Sequence, residues 1–135
     1  MALVTWNEKL SVGVRSVDDQ HTVLFNLIND LHAAMMKGQA RAIVGGLLKD
    51  LLAYTRNHFT AEEELMDSKQ YPALSDHKRL HRELTKQVED YIVRYEKGDL
   101  TVTTHLADFL SNWLTNHIQK TDQAYGPWLN QHGVH

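Results

Sequence analysis

The segment His77-Lys78-Arg79-Leu80-His81 places two imidazoles four residues apart. In a helix they share one face, about 6 Å apart at Cβ, and both can reach one metal ion. His58-Phe59-Thr60-Ala61-Glu62 repeats the spacing with a carboxylate. His21 lies upstream, and His117 lies downstream with Asp122 five residues after it. If these seven residues form one site, the chain must bring positions 21 to 122 to a single point. Few folds of this length can do so.

The apolar pattern says which one. Residues 1 to 15 read as an irregular arm, and Trp6, Leu10, Val12 and Val14 predict that it lies against the body. Ser16 followed by Asp19 resembles a capping box. A first helix is expected over about 17 to 37, with the stripe His21, Leu24, Ile28, Leu31 and Met35, and Gly38 as its stop. A second is expected from Arg41 to about Met66, with Val44, Leu48, Leu51, Thr55, His58, Glu62 and Leu65 on one face. Gly45 and Gly46 weaken its start by about 1 kcal/mol each relative to Ala. A polar link over 67 to 71 leads to Pro72, which suits the first turn of a third helix. That helix carries His77, His81, Leu84, Val88, Tyr91 or Ile92, and Tyr95, and ends at Gly98. A fourth opens at Thr101 or Thr103 and carries Leu106, Phe109, Leu110, Trp113, Leu114, His117 and Ile118. Gly126-Pro127 is expected to end or break it, Trp128 and Leu129 to tuck back, and 132–135 to fray.

No alternating run of strand length appears. Four helices with short links predict an all-α, antiparallel up-down-up-down four-helix bundle, with an irregular N-terminal arm and a short C-terminal segment. In that topology the starts of helices one and three meet the ends of helices two and four. All seven residues then fall roughly 6–12 Å from one end of the bundle. All but Asp122 lie on an apolar stripe and point inward. Asp122 sits about 140° from His117 on a regular helix, so a π-bulge or an unwound turn is expected between them.

Five neutral imidazoles and two carboxylates are too many for one ion and suit two. With both carboxylates and one solvent oxygen shared, the histidines divide three and two. One ion is then six-coordinate and the other five-coordinate, with an open position. Imidazole and carboxylate suit iron, zinc, copper or manganese.

Composition narrows the function further. The chain of 135 residues is expected to form one domain, 1–135, with a single core. A net charge of −3 without a basic run gives no support for nucleic-acid or anionic-membrane binding. The absence of cysteine excludes disulfides and thiolate metal sites, and is compatible with a reducing cytoplasm, the expected location. No apolar run approaches transmembrane length. No long apolar seam is evident either, so a monomer is expected.

The ordered motif H…H-x-x-x-E…H-x-x-x-H…H-x-x-x-x-D, from His21 to Asp122, resembles the hemerythrins, and the chain looks like a bacterial single-domain member. The resemblance implies two iron ions. His77, His81 and His117 would hold one, His21 and His58 the other, with Glu62, Asp122 and a solvent-derived oxygen as bridges. It also implies reversible O₂ binding at the second iron's open position. On helical geometry the wall of such an O₂ pocket would be Leu24, Phe59, Trp113, Leu114 and Ile118.

Bundle di-iron oxidases and oxygenases use about four carboxylates. The two-carboxylate, histidine-rich set here points instead to an O₂ carrier, store or delivery protein, which an O₂-consuming enzyme could draw on. No catalytic residues are visible beyond the metal ligands. The rival readings are a di-iron enzyme that processes peroxide or nitric oxide or acts as an oxidase, and an iron-storing or sensing bundle. No signalling domain is recognisable, which favours carrier or store over sensor. Glu63 and Glu64 read as plain surface acids, and His32, His105, His132 and His135 as non-ligands.

Overall fold

The computed structural model describes residues 4–38, 41–99 and 102–135, with the side chains of 41 and 102–104 also left aside. The described chain contains helices and no strand. They are α1 (Arg15–Met36), α2 (Arg41–Ser68), α3 (Leu74–Glu96) and α4 (Val102–His117). After α4 comes one π-helical turn, Ile118–Asp122, and then α5 (Gln123–Gln131). Helices α1 and α3 each pack against both α2 and α4, which closes a four-helix bundle.

The buried residues are those of the periodic stripes. Leu24, Ile28 and Leu31 of α1 and Val44, Leu48 and Leu51 of α2 are buried in one core. Leu84, Val88 and Ile92 of α3 and Leu106, Leu110 and Leu114 of α4 join the same core. Each such side chain, fully buried, contributes about 1.5–3 kcal/mol. At the end of α2, Met66 is buried and Leu65 only half-buried. Gly38 and Gly98 follow α1 and α3 with positive φ, the conformation that a helix stop requires. Thr101, one of two expected starts for the fourth helix, lies outside the described residues.

The arm lies against the body as expected, with Leu10, Val12 and Val14 buried and a 3₁₀ turn at Glu8–Leu10. The expected capping box does not form. Val14 stands at the N-cap without a side-chain bond. Asp18, not Asp19, ties down the start: its carboxylate accepts from the Ser11 hydroxyl at 2.6 Å and the Val12 amide at 2.9 Å. The arm folds back over the first turn and brings its own donors to that acid. Pro72 also falls short of its expected place, in the turn two residues before α3.

Gly126-Pro127 does not end the last helix, which continues to Gln131. The amide missing at Pro127 would have bonded the carbonyl of Gln123, the first residue of α5, so only the opening bond of α5 is lost. Gly126 has a different task. A Cβ there would lie 1.9 Å from the Val12 carbonyl oxygen, so only glycine lets the arm cross the helix at this point. Leu129 tucks back and is buried, and Trp128 is half-buried. Among the described residues no helix is long and apolar enough to cross a membrane.

Candidate metal centre

Each helix delivers its polar residues to the same end of the bundle. His21 sits near the start of α1, His58 and Glu62 near the end of α2, His77 and His81 near the start of α3, and His117 closes α4. All are buried, as is Asp122. The π turn solves the five-residue problem. Its wider winding rotates Asp122 back onto the face of His117, leaving His117 Nε2 and Asp122 Oδ1 3.0 Å apart.

The two carboxylates sort the five imidazoles into two groups. Glu62 Oε2 lies 3.3 Å from His21 Nε2 and 3.2 Å from His58 Nε2. Its other oxygen, Oε1, lies 3.4 Å from His77 Nε2 and 3.2 Å from His81 Nε2. Asp122 divides the same way. Oδ2 faces His21 Nε2 at 3.2 Å, and Oδ1 faces His77 Nε2 at 2.9 Å. Each carboxylate thus turns one oxygen to a two-histidine set and the other to a three-histidine set. Donor atoms of Glu62, His77, His81, His117 and Asp122 all lie within 4.8 Å of one another, as do those of His21, His58 and Glu62.

Several of these atoms meet a neighbour at 2.9 to 3.4 Å without a well-aligned hydrogen bond. His21 Nε2, His77 Nε2, Glu62 Oε1 and both Asp122 oxygens are buried without a hydrogen bond. His81 Nε2 and His117 Nε2 point at each other across 3.2 Å. Burying polar atoms this way costs about 1–3 kcal/mol each unless a ligand satisfies them. A donor set of imidazole and carboxylate in two groups with shared acids fits two divalent transition-metal ions.

Without metal, protons take the cations' place. Burial pulls the His21 and His77 imidazoliums down, but the close approach of Asp122 and Glu62 and the charges of those acids outweigh it and lift both to about 9. Burial pushes Glu62 up, yet the His58 charge and the close approach of His21, His58 and His77 hold it well below the usual carboxylate range. Asp122 is raised by burial and by the charge of Glu62, but the contacts with His117, His21 and His77 outweigh both and hold it below the usual carboxylate range.

The rings are held from behind. The Phe59 ring stacks on His81 at 3.7 Å, and Trp113 stacks on His117 at 4.4 Å. Three polar partners were missed by the sequence reading. Gln20 Oε1 lies 2.6 Å from His58 Nδ1, and Glu63 Oε2 lies 2.8 Å from His81 Nδ1. The Tyr125 hydroxyl donates to Glu62 Oε2 at 2.9 Å. Glu63 is therefore not a plain surface acid, whereas Glu64 is exposed. Tyr125 lies three residues after Asp122 and so shares its face, a signal that was readable. Gln20 and Glu63 reach histidines on other helices, and spacing along one helix cannot reveal that. His32, His105, His132 and His135 join neither donor group.

Below the cluster lies an apolar cavity of about 20 Å³ between α1, α2, α3 and α4. Leu24, Phe59, Trp113 and Leu114 line it; Ile118 is fully buried but does not.

Known proteins resemble this chain along nearly its full length. Residues 12–129 match the family model described as the hemerythrin HHE cation binding domain. A bacteriohemerythrin of Stenotrophomonas maltophilia (strain R551-3) is 39% identical over 132 residues, covering 98% of this chain and 85% of that protein. One from Methylococcus capsulatus is 35% identical, covering 96% and 99%. The crystal structure of wild-type hemerythrin superposes with a TM-score of 0.88 at 35% identity, over 93% of this chain and 97% of that one.

Proposed function

The chain belongs to the hemerythrin family, and on that premise we propose that it is a non-haem di-iron protein that binds O₂ reversibly, as a carrier or store. One observation supports this reading above the others: both buried carboxylates split their oxygens between a two-histidine and a three-histidine group. In it, His77, His81 and His117 would hold one iron and His21 and His58 the other, with Glu62 and Asp122 shared between them. A ferrous pair would lend electrons to O₂ on binding and recover them on release.

The protein's part is to keep that exchange reversible. The two-histidine set has fewer donors, so the open position for O₂ belongs there. Leu24, Phe59, Trp113 and Leu114 form an apolar wall around the small cavity beside the cluster, which excludes water and stray protons. Of these only the Trp113 indole carries an N–H. The few anionic donors favour release over further oxidation of a substrate.

The test is an absorption spectrum of the iron-loaded, reduced protein before and after air. A visible band that appears with O₂ and vanishes under argon over repeated cycles is expected. Turnover of peroxide or nitric oxide far above that of free iron, with no reversible band, would make the protein an enzyme instead.

A further inference from the structure

The hydrogen bonds behind the cluster are unequal. Glu63 approaches His81 Nδ1 with a carboxylate oxygen at 2.8 Å. Gln20 approaches His58 Nδ1 with a neutral amide oxygen at 2.6 Å. His21 Nδ1 is buried with no partner. His81 Nε2 points into the donor set, and with that nitrogen given to a metal the ring N–H lies on Nδ1 and donates to Glu63. The stacked Phe59 ring keeps the imidazole in that plane.

From this we infer that Glu63 is a positioning residue that places an anionic hydrogen bond behind the three-histidine metal alone, leaving the two-histidine metal with a neutral one. The inference rests on the di-metal reading above. A carboxylate behind an imidazole fixes its tautomer and makes it a stronger donor, so the two metals become unequal in their hold on electrons. The ion that would not bind O₂ is the one made easier to oxidise. The Glu63 side chain is 25% exposed, at the mouth of a cleft of about 490 Å³ that also includes His81, Arg82 and Lys86. The imidazole that faces it stays buried.

Two variants separate geometry from charge. Glu63→Ala removes the acceptor, and Glu63→Gln keeps an acceptor but removes the charge. With zinc alone as the probe, the wild-type chain should bind two ions and show a slowly exchanging His81 Nδ1–H resonance. Glu63→Ala should lose that resonance and release one of its two zinc ions to a chelator roughly 10-fold more readily. Glu63→Gln should keep the resonance, shifted, and both ions. Iron-loaded and reduced, it should nonetheless have a higher reduction potential and oxidise several-fold more slowly than wild type. Wild-type zinc retention in Glu63→Ala, or a wild-type potential in Glu63→Gln, would overturn the inference. A wild-type chain that does not bind two ions would instead overturn the di-metal reading.

Discussion

His21 and His77 show what one residue costs and contributes here. In the metal-free chain both keep their protons up to about 9, above the ordinary 6.5, because Glu62 and Asp122 face them. That stabilisation is complete below about pH 6.5 and lost as pH rises through about 9. Glu62 and Asp122 are held low, so theirs is present above the ordinary carboxylate range and lost as pH falls through their depressed values. The metal-free protein should therefore be most stable in mildly acid solution. Metal needs neutral imidazoles, so uptake at about pH 7.5 should release about two protons per chain. Calorimetric titrations in buffers of different ionisation enthalpy measure this, and uptake without proton release would show that the two rings were already neutral. The convergence was legible because six of the seven residues lie on apolar helical stripes, at depths that an antiparallel bundle brings to one end. Gln20 and Glu63 were not, because their meaning depends on which side chain the neighbouring helix presents.

At the scale of the element, the π turn Ile118–Asp122 decides whether the second acid reaches the site. Inserting one alanine after Lys120, which is exposed, should rotate Asp122 away from the His117 face by about 100°. The insertion variant is expected to lose at least one metal ion per chain and to melt at lower temperature; metal analysis and thermal unfolding check both. Full metal content would show that the turn is dispensable. An irregular turn was legible from the five-residue gap between two residues expected to meet. The continuation through Pro127 was not, because it depends on where α5 begins. Gly126 likewise answers to the arm, a neighbour more than a hundred positions away, as its approach to Val12 shows.

For the whole molecule, bundle topology and site are one fact. Only an antiparallel arrangement brings the start of α1 to the end of α4, and the stripes that build the core carry the ligands as well. The apolar cavity below the cluster belongs to this scale, since all four bundle helices line it. Leu114→Ala should enlarge it and destabilise the fold by about 2–5 kcal/mol. Its oxygenated form should autoxidise faster with iron content unchanged, as followed by the decay of the visible band. An equal or slower rate would show that Leu114 does not guard the site. The central claim is a paired site that takes up O₂ and returns it, and gas titration of the reduced, iron-loaded protein tests it most directly. The account predicts two iron ions per chain, one O₂ taken up per pair, and the same O₂ recovered on lowering its pressure. One iron per chain, or O₂ consumed and not recovered, would contradict it.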